Sequence, residues 1–368
     1  MKRILSQCIK ELAQFKRDRL TLALAFALPV LTLFIFGFAI RLEAKDIPLV
    51  VQDFDRSVLS RSYQDRLYAT HQFQVVPWVE NASSQQSLDQ GLAKAVVIVP
   101  PDFSRHIKAG KPADLQVLVD GTDANNARVI KNSIKATTNA FMQAEKLIPE
   151  ISAITPRTRI WFNPGRKEAL YIVPGTFAVV LWIFPSLLAA IAMVREKEKG
   201  TILQVYASSM SAAELILGKA LAYLAVALVM ALGVIGLGAI VFGLRFAGDP
   251  TPFLIGTPLY LSTSVMFGLL IGVRVNEQNA AVQAVALVGF LTALLLSGFI
   301  YPLSNIPFPL SLISNIVPAR YYIVITRDAF VRGTGWAGVW WAPVMILLIG
   351  LLFFNVAQKL LSRMQVNS

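Results

Sequence analysis

Six stretches of this chain, residues 20–40, 170–194, 220–244, 253–273, 280–303 and 337–357, are of membrane length and contain no Asp, Glu, Lys or Arg. A helix needs about 20 mainly apolar residues to cross the hydrocarbon of a bilayer. Six such runs leave few folds open to the chain. Composition agrees: 55% of the 368 residues are hydrophobic and only 15% are charged, whereas soluble domains carry about a quarter charged residues. The net charge of +12 does not indicate nucleic acid, because the basic residues flank apolar runs instead of gathering on one soluble domain. The first run is too long for a cleaved signal peptide, and no small-residue cleavage site follows it.

Orientation follows from the flanks. Lys2, Arg3, Lys10, Lys16, Arg17 and Arg19 precede the first run, Arg195, Lys197, Lys199 and Lys219 lie between the second and third, and Lys359 and Arg363 follow the last. If the spans alternate, all three groups share one side, which the positive-inside rule makes the cytoplasm, with both termini there. Residues 1–19 are expected to form an amphipathic helix in the headgroup plane, with Ile4, Leu5, Cys8, Leu12 and Phe15 at helical spacing and Lys2, Arg3, Lys10, Glu11, Gln14 and Arg17 on the polar side. Cys8 is the one cysteine, so an internal disulfide is excluded.

Residues 41–169 read as a folded extracytoplasmic domain. Strand-like runs at 47–54, 73–79, 95–100 and 115–120 alternate with helical segments at 57–69, 84–92, 102–109 and 124–147, and 157–162 is a further strand candidate. That alternation predicts an α/β domain with a mixed sheet. His71 and His106 stand apart, and no His, Cys or carboxylate cluster has metal-ligand spacing. The fold class expected is therefore a polytopic α-helical membrane protein with six transmembrane helices and an extracytoplasmic α/β domain. Within 170–368, the Pro-rich apolar segment 304–336 is expected to form interfacial or re-entrant helices. Tyr301, Tyr321, Tyr322, Trp336, Trp340 and Trp341 would make an aromatic belt at the outer boundary.

Three functions suit such a chain: transporter, receptor or membrane enzyme. No nucleophile–base set is visible for an enzyme. The spans hold no ionisable group to bind a coupling ion. Their polar residues, Thr32, Ser186, Ser262, Thr263, Ser264, Gln283 and Thr292, suit helix bridging better. A phosphate-binding loop is also missing: Gly218-Lys219 is followed by Ala220, and Gly110-Lys111 fails likewise. If ATP drives this protein, a separate subunit must hydrolyse it.

The loop 195–214 then becomes the segment of interest. It opens with Arg195-Glu196-Lys197-Glu198-Lys199, carries apolar Ile202, Leu203, Val205 and Tyr206, and closes on Ser211-Ala-Ala-Glu214, a capping box that starts the next helix. These residues suit a solvated turn and a partner-facing surface equally well.

REKEKGT at 195–201 followed by SAAELILGK at 211–219 resembles the signature of ABC type-2 exporter permeases. Arg195, Glu196, Glu198, Gly200, Thr201, Glu214, Gly218 and Lys219 match it, with Lys197 inside the charged run, while the usual Pro after the short helix is missing from ASSMS at 207–211. Segment 294–322 resembles the same family's stretch before its last span, and 99–107, 117–127 and 161–175 resemble the subgroup with a large external domain after the first span. The resemblance covers essentially the whole chain. It implies a non-catalytic permease subunit of a bacterial inner-membrane exporter. Two such halves, identical or paralogous, would pair around the route. An ATPase subunit carrying ATP and Mg would dock on loop 195–214 and the N-terminal helix, with Arg274 and Glu277 in the second loop close by. The resemblance also implies a membrane-fusion-type adaptor and a cargo from among drugs, lipids and polysaccharides; the apolar, aromatic-containing spans suit lipid contact and equally a hydrophobic or amphipathic cargo, drug or lipid-like. An ion-driven secondary transporter and a receptor with an external sensing domain are the alternatives.

Overall fold

The computed structural model describes residues 1–39, 46–70, 72–78, 84–122, 124–145, 162–163, 167–201 and 210–366. The expected strand at 157–162 (Phe162 apart), His71, and the apolar patch Ile202, Leu203, Val205 and Tyr206 lie outside them. The chain divides into two compact units, residues 1–40 with 159–368, and residues 41–158.

The first unit is helical. Helix α1 (Lys2–Arg17) precedes α2 (Arg19–Ala39). After the second unit come α7 (Ala169–Glu198), α8 (Ala212–Phe242), α9 (Thr251–Arg274) and α10 (Gln278–Leu295), then α14 (Trp341–Val366). Among the described residues, α2, α7, α8, α9, α10 and most of α14 are the six helices long and apolar enough to cross a membrane. Between α10 and α14 lie three short helices, α11 (Leu310–Ser314), α12 (Pro318–Arg327) and α13 (Trp336–Val339), with a π-turn over Asp328–Arg332.

Helix α7 is the centre of the bundle. Every residue from Ile172 to Trp182 is buried, as befits a helix that is apolar all round. Its closest neighbour is α9, which meets it through Gly268-Leu-Leu-Ile-Gly272, two glycines four residues apart. A Cβ at Gly268 would collide with the Ser186 carbonyl, and one at Gly272 would sit 2.6 Å from Met193 Cβ and 2.8 Å from the Ala190 oxygen. Small residues at this spacing let backbones approach where apolar burial gives no drive between helices in lipid. Polar groups add bridges: Tyr260 Oη donates to the Ala178 carbonyl at 2.6 Å, Ser264 Oγ to Trp182 at 2.6 Å, and Thr263 Oγ1 to Ile346 at 3.1 Å. Thr32, Ser186, Ser262 and Thr292 instead bond carbonyls within their own helices.

Two expectations change. The fifth span ends at Leu295, not 303, because Leu296 leaves the helix and Gly298 takes φ +85°. Tyr321 and Tyr322 are core residues, not belt residues: Tyr322 stacks on Tyr260 at 4.1 Å and bonds Thr257, and Tyr321 Oη bonds the Asn315 carbonyl. Tyr301, Trp336, Trp340 and Trp341 are the exposed members of that set. Helix α8 starts at Ala212, as the Ser211–Glu214 capping box predicts, and runs through eight residues ahead of the apolar run: Ser211 Oγ accepts from Glu214 N and Ser211 N donates to Glu214 Oε2. Lys219 therefore lies inside the helix.

The second unit holds a four-stranded sheet in the order β2-β1-β3-β4, built from β1 (Ile47–Asp53), β2 (Phe73–Val75), β3 (Ala95–Val99) and β4 (Gln116–Val119). β1 runs parallel to β2 and β3, and β4 is antiparallel to β3, so the sheet is mixed. Helices α3 (Val58–Ala69), α4 (Ser84–Asp89), α5 (Phe103–Lys108) and α6 (Ala124–Ala144) fill the connections. Alternation along the strands separates two cores. Leu49, Val51, Val97 and Val99 pack with Tyr63, Phe103, Ile134 and Phe141, while Val50 and Val96 pack with Ala93 and Trp78.

At the end of β4 the Lys94 ammonium bonds Asp120 at 2.6 Å and Thr122 donates through its amide and hydroxyl. Together they hold the Asp120 carboxyl well below its ordinary 3.8. The ionised form then stabilises the fold above the ordinary carboxylate pKa, and that contribution fades as pH falls from there through the lowered native value. The expected result is that Asp120→Asn unfolds at lower temperature than wild type near neutrality, and that the gap narrows between about pH 5 and pH 2. Thermal unfolding of both proteins across that range checks it.

Candidate coupling site

The charges around α7, α8 and α1 gather at one end of the helical unit. α1 lies along α8 with Gln7, Glu11 and Phe15 buried, one face at i, i+4 and i+8, and with Ile4, Cys8 and Leu12 half-buried beside them. Leu5 points outward. Glu11, expected on the polar side, is instead 2% exposed.

Gly218 makes the approach possible. A Cβ there would stand 2.7 Å from Gln7 Cβ and 3.1 Å from the Ile4 oxygen. The next residue, Lys219, is fully buried and reaches Glu11 Oε1 at 2.6 Å, the Ala192 carbonyl at 3.3 Å and Glu196 Oε2 at 3.2 Å. The last is an ion-pair contact without hydrogen-bond geometry. Gln7 Nε2 and Tyr223 Oη also donate to Glu11. Glu196, 4% exposed, takes a second cation, Lys10, at 2.6 Å. Two carboxylates thus face two ammonium groups, and the cluster is neutral as a set. A buried charge that is not paired costs several kcal/mol, so these four residues fix α1, α7 and α8 against one another. A cavity of about 70 Å³ lies beside them, walled in part by Phe15, Leu188 and Arg195.

A second ring of contacts surrounds the cluster. Arg195 pairs with Asp18 at 3.2 Å. The Thr21 hydroxyl, its amide and Arg195 hold the Asp18 carboxyl below the ordinary range. Lys197 Nζ donates to the Val273 carbonyl and, at 2.9 Å, to that of Val275. Glu198 accepts from the backbone and side chain of Gln278. The end of α7 is thereby fastened to the turn between α9 and α10, whose Arg274 and Glu277 are exposed. Thr201 Oγ1 donates to the Glu196 carbonyl, Gly200 ends α7 at φ +67°, and Glu214 caps α8 with Arg3 at 3.8 Å.

The residues picked out from the sequence therefore divide. Glu196, Gly218 and Lys219 look inward. Arg195, Lys197 and Glu198 tie helices together at the rim, and Glu198, Lys199, Arg274 and Glu277 present charge to the outside. Sequence reasoning missed Gln7, Lys10, Glu11, Asp18 and Tyr223. A signal for Glu11 existed: it shares its face with Ile4, Leu12 and Phe15, where a lone carboxylate needs a cation. Glu196, just past the second apolar run, and Lys219, just before the third, fall inside helices α7 and α8, so each helix carries a buried charge next to its apolar run.

Six membrane-length helices, clasped by charge at one end and joined to an α/β unit, define a polytopic helical membrane protein. The chain belongs to the ABC-2 transporter family: residues 19–357 match the family described as "ABC-2 family transporter protein". It is similar to the "Probable multidrug ABC transporter permease YbhS" of Escherichia coli (strain K12), 25% identical over 96% of this chain and 92% of that protein. It is similar also to the "Probable multidrug ABC transporter permease YbhR" of the same organism, 27% identical over 92% of this chain and 93% of that one. The "Inner membrane transport permease YhhJ" of that strain is 25% identical over 97% of this chain and 96% of its own length.

Proposed function

We propose that the chain is the membrane half of an ATP-driven exporter in a bacterial inner membrane, without catalysis of its own, moving a hydrophobic or amphipathic drug or lipid-like cargo. A separate ATPase subunit carries ATP and Mg and docks at the basic end of the bundle, which faces the cytoplasm together with both termini. Two six-helix halves enclose the route, and the α/β domain stands outside, where a membrane-fusion-type adaptor docks. The names of the relatives support the cargo class, and the excess of Lys and Arg at one end supports the orientation.

The clasp carries this reading. A docking subunit that moves the end of α7 needs a stiff attachment, or the displacement is absorbed locally. Glu11, Lys219 and Glu196 join α1, α7 and α8, and Lys197 and Glu198 add the α9–α10 turn. Beside that joint stand the exposed charges Glu198, Lys199, Arg274 and Glu277. ATP-driven closure in the partner would then tilt several helices together and alternate the exposure of the route.

Reversing charge at the rim tests it. Glu198→Arg combined with Arg274→Glu is expected to lower transport about tenfold or more, roughly 1.4 kcal/mol of coupling, while ATP hydrolysis by the co-purified ATPase and membrane insertion persist. Undiminished ATP-dependent transport in vesicles would refute the docking assignment. Transport driven by a pH gradient, with no ATPase subunit present, would replace it by ion coupling through the Glu11–Lys219–Glu196 cluster.

A further inference from the structure

A second group of cations sits at the opposite end of the helical unit and lacks what the clasp has. Arg327 ends α12, and Arg332 ends the π-turn that follows. Among the described residues neither guanidinium has a carboxylate within salt-bridge distance. The acid between them, Asp328, is committed elsewhere: it accepts from the Thr334 amide at 3.1 Å, the Thr334 hydroxyl at 2.5 Å and the Gly335 amide at 2.9 Å. Arg327 is held in place by the Gly298 and Phe299 carbonyls and lies 3.9 Å over the Tyr171 ring. Its Nε is buried and unpartnered. An orphaned buried donor in a native fold calls for an acceptor, and a partly buried guanidinium beside a second one calls for an anion.

Both arginines open on a cavity of about 240 Å³, whose other walls include Tyr171, Asn163, Leu170 and Val331. The volume lies below the ~300–1,000 Å³ of pockets that engulf whole drug-sized molecules, so it suits a headgroup. Tyr171 and Leu170 belong to the first turn of α7. The apolar run of α7 starts in this first turn, so the cavity stands at one end of a membrane-length helix, the part that meets a headgroup layer when the helix crosses a bilayer. Arginine is also the side chain whose planar fork matches phosphate and carboxylate oxygens.

We infer that Arg327 and Arg332 form a binding site for the phosphate or carboxylate headgroup of an anionic amphipath, with Tyr171, Leu170 and Val331 against its apolar part. The headgroup oxygens take the free guanidinium donors, and the acyl or ring portion leaves the cavity toward the bilayer. The same chemistry would accept a soluble phosphate.

The test uses the full chain in a neutral detergent, titrated separately with dioctanoyl-phosphatidylglycerol, with inorganic phosphate and with uncharged dioctanoylglycerol. Arg332→Gln is the main variant, because that side chain bonds no other residue of the described structure, and Arg332→Lys keeps the charge. The expected result is saturable binding of the phosphatidylglycerol, weakened about tenfold in Arg332→Gln and partly restored in Arg332→Lys, with dioctanoylglycerol binding weaker still. If inorganic phosphate binds as tightly and with the same dependence on Arg332, the site serves a soluble anion. If it competes only at far higher concentration, the site serves a lipid-like headgroup. Phosphatidylglycerol binding that is equal in wild type and Arg332→Gln, or matched by dioctanoylglycerol, overturns the assignment.

Discussion

Replacing Lys219 by methionine is expected to destabilise the helical unit by about 3–5 kcal/mol, the range for a buried ion pair broken from one side. The reason is not the loss of one favourable contact. With the ammonium gone, Glu11 and Glu196 are left buried within reach of each other, with Lys10 as the remaining cation of the four-residue cluster and Arg195 only at its edge. The wild-type cluster is worth far less than that figure when compared with an apolar packing of the same volume. The double variant Glu11→Gln with Lys219→Met is therefore expected to be milder than the sum of the two single changes, with a coupling of roughly 0.5–3 kcal/mol. Thermal unfolding of the purified protein in detergent gives the three differences. Limited proteolysis near Arg17 and Arg19 reports whether α1 has come away from α8. Additive losses, or a Lys219→Met protein as stable as wild type, would show that the cluster does not hold α1.

The second large effect is expected at Gly268. Alanine in a helix interior is ordinarily favoured over glycine by about 0.5–1 kcal/mol. At Gly268 the sign should reverse, because the added carbon would enter the Ser186 carbonyl, and backbone cannot rotate away as a side chain can. Gly268→Val is expected to cost about 3 kcal/mol or more, at the upper end of overpacking penalties, and to separate α9 from α7. Gly233 on α8 provides the control, since nothing lies within 4 Å of a Cβ built there. Gly233→Ala should be neutral or slightly stabilising in the same unfolding assay. Equal behaviour of the two alanine variants would mean that the α7–α9 contact is looser than described.

Some of this architecture could be read from the residues. The apolar runs located the spans, since a backbone crossing lipid must satisfy its amides internally and only long helices do so. The Ser211–Glu214 pair marked a helix start, because a capping box is a local device spanning four residues. Strand and helix alternation in 47–144 foretold the mixed sheet for the same reason: each element's periodicity is written in its own few residues. The loop 195–214 was singled out by its charges, and by resemblance, but the direction in which those charges face was not legible. Glu196 and Lys219 looked like solvent-facing groups beside apolar runs and proved to be buried.

Hydropathy and local capping thus determined how many helices this protein places in a membrane and roughly where they begin, since those choices depend on neighbours a few residues away. Tertiary structure alone decided which charges meet. Glu11 and Lys219 are 208 positions apart, and Gly218 has its purpose only once α1 lies against it. The same holds for Arg327 and Tyr171, which share a wall because α12 folds back on the first turn of α7. Partners chosen by packing leave no periodic trace in either segment, because the energy that selects them exists only after the helices have come together.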